Sequence, residues 1–438
     1  MLSLYFFIHF FESTLGMSWY NFILIMFFFY PFFFLYHFSV TFISKSWMFS
    51  LDSYSLLLSV LSFWIVLLSV LAGKIYLKSI FFSFYLMSFS FLLFVLIFFF
   101  LCNNMFMFFF FFESSLFPTF YIIVGWGNNF YRLQSGLYLF FYTLFSSIPF
   151  LVSMFMLFFL NFSLNFFFLN YFFFNKIYYL FLIVSFLVKM PMFLFHSWLP
   201  KAHVEAPVSG SMLLAGVLLK MGGYGLYRFF FYYKFFLDLN LIWIYISIWG
   251  GLLSGLICFR QVDMKSLIAF SSVSHMSLVV MGLLVFSDVS IFGSFSLMVS
   301  HGLCSSGLFF LSNMIYERSG SRNLFLNKGL ISLFPSLSMW WFIFCSFNMA
   351  CPPTLNLISE IFLINSLVSW SFIFVFFLMF MSFFSGVYNL YLFTVTNHGK
   401  IFSSIYSFPM SCKFNEYLII YLHFFPTFFF FLKLEFFF

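Results

Sequence analysis

Charge is what this sequence has least of. Asp, Glu, Lys and Arg together make 7% of the 438 residues, against roughly 25% in a soluble domain, so a water-soluble globule is excluded. Long polar stretches are also missing, and no extramembrane domain has room to form. There is no G-x-x-x-x-G-K-[ST] and no G-x-G-x-x-G, which removes direct ATP-driven transport and dinucleotide binding by this chain. The six cysteines, Cys102, Cys258, Cys304, Cys345, Cys351 and Cys412, lie far apart with no C-x-x-C. Neither a disulfide framework nor a zinc or iron–sulfur site is supported, and they read as small apolar packing residues. The opening MLSLYFFIHFF has no basic n-region, so no cleavable signal is expected. The net charge of +7 comes largely from bases scattered over short loops, such as Lys45, Lys74, Lys78, Lys176, Arg260, Arg322 and Lys328. That is the pattern of orientation signals and headgroup anchors, and no nucleic-acid partner is expected.

What is present is apolar, with 64% of residues hydrophobic. The apolar runs are continuous and about 20 residues long, the length of a helix crossing a bilayer, whereas barrel strands alternate over about 10 residues. The fold class is therefore an all-α polytopic membrane protein with about fourteen transmembrane helices. The spans fall near 1–16, 19–38, 54–73, 80–101, 105–124, 135–160, 177–199, 208–231, 239–258, 264–286, 289–316, 328–368, 370–396 and 416–433. The twelfth is interrupted by Cys351-Pro352-Pro353 and reads as one discontinuous helix. Phenylalanine accounts for 89 residues, more than packing requires, which suggests coding bias in a T-rich genome such as an organelle's.

Against this background four charges stand out inside apolar spans: Glu113, Lys189, Lys220 and Glu360. At about 3 kcal/mol each on insertion scales, four unpaired charges would cost on the order of 12 kcal/mol, comparable to the whole stability of a domain. They must be paired, hydrated or neutralised, and two acids with two bases permit pairing. Lys189 lies two residues before Pro191, which removes a backbone donor and should open the helix there. Opened backbone at membrane depth is tolerated only inside protein or beside water, so a buried cation at a broken helix points to ion translocation. The motif recurs five spans later as Pro352, Pro353 and Glu360, a weak internal symmetry of the inverted-repeat kind. Lys220 is near the middle of its span, followed by Gly222, Gly223 and Gly225, which allow close approach of backbone. Asn356 should lie one turn before Glu360 on the same face.

His275 and His301, in successive spans among serines, read as relay members, with interhelical hydrogen bonding as the bland alternative. His196 lies two turns beyond Lys189, where it either connects the lysine to the surface or anchors a helix end beside Trp198. Glu113 as a structural ion pair and Lys220 as a snorkelling side chain are the corresponding alternatives for those residues. Lys201, His203 and Glu205 fall in a short loop and are expected to be solvated. Arg132, Arg228, Arg260, Asp263 and Lys265, near span ends, read as anchors. Haem held by His275 and His301 is a remote option.

The stretches KMPMFLFHSWLPKAHVEAPVSGSMLLAGVLLKMGGYG, RQVDMKSLIAFSSVSHMSLVV, HGLCSSGLFFLSNMIYER, PPTLNLISEIF, FFESSLFPTFYIIVGWG and YLFFYTLFSSIP resemble the antiporter-like membrane subunits of NADH:ubiquinone oxidoreductase, respiratory complex I. The resemblance covers about 80 to 396. It implies fourteen helices, two inverted five-helix repeats and discontinuous helices seven and twelve. It further implies four regions: 1–79 with helices one to three, repeats over 80–238 and 239–396, and a C-terminal loop and helix over 397–438. By the same resemblance Glu113 and Lys189 are a charged pair and Lys220 a central lysine. His275 and His301 line a hydrophilic axis, and Glu360 is its outer acid. The chain departs from the family at Tyr131, where an acid before Arg132 is expected. The function implied is proton translocation across the mitochondrial inner membrane as one module of a redox-driven pump. No cofactor is expected in this chain. The implied partners are other membrane-arm subunits, neighbouring antiporter-like and supernumerary ones, with phospholipids, protons and water. A stand-alone cation/proton antiporter and a non-pumping structural subunit are the alternatives.

Overall fold

The computed structural model describes residues 49–50, 52–78, 81–127, 129–166, 175–400 and 412–433. Among the described residues helix is the only extended regular structure. The physical reason is that hydrocarbon offers no hydrogen-bond partner, so each backbone N–H and C=O must be satisfied within its own segment. Nine helices among the described residues are long and apolar enough to cross a membrane. Further crossings are interrupted ones, over 176–205, 208–228 and 335–370. The first two expected spans, near 1–16 and 19–38, lie outside the described residues.

The chain divides into two compact units, Met1–Ser185 with Glu205–Val217, and Phe186–Val204 with Leu218–Phe438. In the first, α1 (Ser53–Ala72) packs against α2 (Phe82–Leu101). After α2, the helices α3 (Met105–Ser114) and α4 (Leu116–Trp126) meet at a kink. Pro118 cannot donate to the carbonyl of Ser114, four residues earlier, so the ladder opens one turn past Glu113. α4 lies against α5 (Arg132–Asn161). The centre of this unit is aromatic: the fully buried Tyr85 ring sits 4.6 Å from Phe89 and 5.2 Å from Trp126.

The helix α6 (Lys176–Lys189) ends where Pro191 demands it, and helix resumes only at α7 (Trp198–Glu205). Met192 N–H reaches back to Leu187 O at 3.2 Å, leaving Val188 O without its usual partner. The Trp198 indole supplies one, Nε1 donating to Val188 O at 3.0 Å. A second clamp closes the far end of α7, where Arg322 Nη1 donates to Val204 O at 2.6 Å, a cation on terminal carbonyls. The broken segment is thus held open by side chains of the second unit.

The next crossing runs through α8 (Val208–Leu213), a π-helical turn over Leu214–Leu218, and α9 (Leu219–Arg228). The wide turn ends at Leu218, two residues before Lys220, and resets its register on the helix. Gly222 fits because a Cβ there would fall 2.6 Å from Met190 Cγ and 2.9 Å from Met190 N. Backbone therefore passes within contact of the broken helix, as expected of the glycine run.

After the short α10 (Phe230–Lys234), α11 (Leu237–Cys258), α12 (Met264–Val285) and α13 (Asp288–Ser319) pack side by side, with α12 and α13 buried along almost their whole length. The discontinuous twelfth crossing appears as α14 (Pro335–Asn348) and α15 (Leu355–Trp370). Asn356, anticipated as a polar neighbour of Glu360, instead satisfies the broken end, Nδ2 donating to Phe347 O at 2.7 Å. Asn348 donates to Asn389 Oδ1 at 2.9 Å on α16 (Phe374–Asn397). The last helix, α17 (Phe414–Leu432), is tied to α13 by Arg318 and Glu416 at 2.5 Å.

Trp198→Phe keeps most of the packing and removes the donor to Val188 O, so it should lower stability by about 1–3 kcal/mol, the cost of one unsatisfied buried acceptor. Thermal unfolding of the purified protein in detergent checks this. Gly386→Ala, at a site with nothing within 4 Å of a built Cβ, should leave the midpoint unchanged.

Candidate proton-conducting site

Six of the seven singled-out residues lie in the second unit, and four of them form one line. Lys220 is fully buried on α9, and its Nζ lies 3.2 Å from Nδ1 of His301 on α13. An ammonium has no lone pair, so a charged Lys220 must donate here, leaving the proton of a neutral His301 on Nε2. The His301 and His275 ring centroids are 5.5 Å apart. His275, on α12, places Nδ1 3.5 Å from Oε1 of Glu360 on α15. A base, two imidazoles and a carboxyl thus run from α9 through α13 and α12 to α15, all inside the helix bundle. Each is at most 8% exposed.

Burial penalises the charged form of every member, whether acid or base. Groups this close do not titrate independently, and a proton added to one alters the next. Helical spacing explains how the sequence builds the line. His275 and His301 lie near the middle of adjacent, almost fully buried helices, while the π turn and the α14–α15 break re-aim Lys220 and Glu360. The serines around the histidines do not contribute donors: Ser271, Ser274, Ser277, Ser300 and Ser305 each bond to a carbonyl three or four residues back on their own helix.

At the Glu360 end a cavity of ≈ 20 Å³ is lined by Ser274, His275, Glu360, Met381, Ser382 and Ser385 among others. That is room for about one water. Ser382 on α16 is exposed, so the acid end of the line sits one side chain from the surface of its unit.

Lys189 closes α6, buried at the break as the sequence suggested. Glu113 is half-buried at the end of α3 and belongs to the first unit. His196 is not on the line. Helix has not resumed at this position, so the two-turn spacing from Lys189 does not apply; its Nδ1 bonds Phe193 O, and its ring stacks on Phe193 at 4.8 Å. Two expectations of solvated or anchoring charge are corrected. His203 is fully buried, stacked on Phe309 at 4.6 Å with an interplanar angle of 6°. Lys265 is also buried, at 3% exposure. Nearness to a break between spans in the sequence suggests exposure for both, and tertiary packing covers each of them.

One participant gave little warning in the sequence. Tyr388, fully buried on α16, brings its hydroxyl 3.2 Å from His275 Nε2 and 3.2 Å from Ser274 Oγ. It is one of the chain's 25 tyrosines and lies in an apolar span with no charged residue near it to single it out. No cluster of three or more His, Cys, Asp or Glu able to hold a metal ion occurs among the described residues.

Comparison with known proteins agrees with this architecture. The transmembrane family described as NADH:quinone oxidoreductase/Mrp antiporter matches residues 102–385. NADH-ubiquinone oxidoreductase chain 4 of Aedes aegypti is 54% identical over 318 residues, covering 72% of this chain and 71% of that protein. The Ceratitis capitata chain 4 is 48% identical over 388 residues, 88% of this chain and 87% of that one. A chain in the structure of respiratory complex I from Thermus thermophilus with bound NADH superimposes with a TM-score of 0.84. It covers 95% of this chain and 92% of that one at 20% identity, a likeness of fold alone. The chain belongs to the NADH:quinone oxidoreductase/Mrp antiporter family of transmembrane proteins, among its NADH-ubiquinone oxidoreductase chain 4 members.

Proposed function

We infer that this chain is a proton-translocating subunit of respiratory complex I, a multi-pass protein of the mitochondrial inner membrane that couples NADH-to-ubiquinone electron transfer to proton movement. The observation that carries this reading is the buried row Lys220, His301, His275 and Glu360: Lys220 Nζ lies 3.2 Å from His301 Nδ1, the two imidazole rings lie 5.5 Å apart, and His275 Nδ1 lies 3.5 Å from Glu360 Oε1. The chain supplies no redox centre in this scheme. Electron transfer and quinone reduction belong to other subunits of the complex, which are its partners together with lipid and water.

Lys220 is the loading site. Its proton passes to His301, then to His275 and to Glu360, from which it leaves toward the cavity. Glu113 and Lys189 act upstream: a charge change in a neighbouring subunit alters the attraction of this pair and so the proton affinity of Lys220. Moving a charge against the membrane potential costs about 2.3 kcal/mol per 100 mV, and each tenfold change in proton affinity supplies about 1.4 kcal/mol. Swings of a few such steps along the line suffice for one proton.

Lys220→Ala removes the carrier and should leave an assembled complex whose proton uptake, coupled to NADH oxidation in vesicles, falls at least tenfold. Lys220→Arg is the sharper variant, because a guanidinium keeps the charge and does not give up its proton; it should fail like alanine. Wild-type pumping in either variant would return the chain to a purely structural role. Cation/proton exchange by the purified chain alone in liposomes would point to a stand-alone antiporter instead.

Glu360→Gln preserves size and hydrogen-bonding capacity and removes the acid. Coupled turnover should drop on the order of a hundredfold, the scale of losing one positioned proton-transfer group. Glu416→Gln, in the ion pair with Arg318 at the end of α17, should pump normally.

A further inference from the structure

The line has an asymmetry at His275. Both of its ring nitrogens are engaged, Nδ1 toward Glu360 and Nε2 by the Tyr388 hydroxyl, so an arriving proton must enter at a nitrogen that already has a partner. Tyr388 in turn has two neighbours and one proton. Ser274 Oγ, 3.2 Å from the Tyr388 oxygen, has committed its own hydrogen to Ser271 O at 2.7 Å. Toward Tyr388 it therefore offers lone pairs only. The Tyr388 O–H can point at His275 Nε2 or at Ser274 Oγ, and never at both.

We propose that Tyr388 is a positioning residue for proton transfer, a two-way hydroxyl rotor that lets His275 Nε2 alternate between accepting and donating a hydrogen bond as a proton passes. The proposal rests on the pumping function assigned above. In the resting arrangement Tyr388 donates to Nε2, and the proton of a neutral His275 is on Nδ1, directed at the Glu360 carboxylate. When a proton arrives from the His301 side it adds to Nε2. The Tyr388 hydroxyl turns its hydrogen to Ser274 and accepts the new N–H on its oxygen. His275, now an imidazolium, passes the Nδ1 proton to Glu360, which becomes the neutral acid. One proton has entered at Nε2, one has left at Nδ1, and no electron moves. His275 is left neutral with its proton on Nε2, still satisfied by the tyrosine oxygen. Resetting requires the ring to turn over or to exchange protons, and the hydroxyl then swings back.

The rotor matters because bulk water does not reach the pair, and the neighbouring cavity has room for only about one water. Tyr388 and His275 are at most 2% exposed, and bulk water does not satisfy whichever state of Nε2 the protein leaves unpartnered. A phenylalanine would occupy the same space and serve neither state. The titratable groups facing this pair come one from each surrounding helix: Lys220 on α9, Cys258 on α11, His301 on α13 and Glu360 on α15.

The test is the assembled complex in membrane vesicles, with coupled NADH oxidation and proton uptake followed across pH. Tyr388→Phe should assemble normally and lose roughly tenfold in coupled turnover, the rate equivalent of about one buried hydrogen bond. Ser274→Ala removes only the acceptor used when His275 is protonated. It should give a smaller loss, with the acid limb of the pH profile moved to lower pH, and it decides the matter if Tyr388→Phe does not assemble. Wild-type turnover with an unmoved pH profile in Tyr388→Phe, or in Ser274→Ala where the first variant does not assemble, overturns the rotor. Lys220→Arg measured alongside separates the two levels. If it fails while the Tyr388 and Ser274 variants are normal, the pump stands and the rotor falls; if it too pumps normally, the functional assignment itself is wrong.

Discussion

The structure depends on a single constraint: a polar group inside this protein has almost no solvent to turn to. Each must find its partner on the same helix, on a neighbouring helix, or in an enclosed pocket. Most of the hydroxyls take the first option, the serines of α12 and α13 bonding back to their own carbonyls. Ser274 alone among these also faces a partner on another helix, the Tyr388 hydroxyl. Lys220, His301, His275, Tyr388 and Glu360 instead meet across helices and form a buried polar line in the second unit.

The two interruptions of helix follow from the same constraint. Breaking a helix strands carbonyls, and each break carries its own repair. Trp198 covers Val188 O, Arg322 covers Val204 O, and Asn356 covers Phe347 O. These side chains come from the residues just beyond the break or from an adjacent loop, so an opened backbone costs little once the bundle is assembled. The gain is positional freedom. Lys189 sits at the lip of one break, and the helix carrying Glu360 starts at the other. A π turn similarly precedes Lys220. Irregular backbone thus adjoins Lys189, Lys220 and Glu360.

Such a line stores and moves charge by contrast between neighbours. A base beside an imidazole beside an acid shares protons over a few ångströms, and coupling makes the state of each depend on the others. That property suits a module driven from outside, in which a distant event changes one charge and the effect passes down the row.

How much of this was written in the chain can be judged residue by residue. Hydropathy alone fixes helix as the only spanning element and places most of the described crossings to within a few residues, because a membrane helix must be satisfied by its own backbone. The intramembrane charges are equally visible, since a lysine in twenty apolar residues has no inexpensive explanation. The breaks at Pro191 and Pro352-Pro353 follow from the missing donor. Pairing across helices is different in kind, because it depends on rotation and depth that periodicity does not encode. Thus Tyr388 was indistinguishable from other tyrosines until α16 turned it onto His275, and His203 read as solvated until packing buried it against Phe309. For His196 the two alternatives turn on whether helix resumes after Pro191; it resumes only at Trp198, so a spacing rule that assumes helix does not apply to it. The sequence by itself determined which groups are too costly to leave alone in a membrane. Only the tertiary structure decided which of them meet, because partners on different helices are chosen by packing.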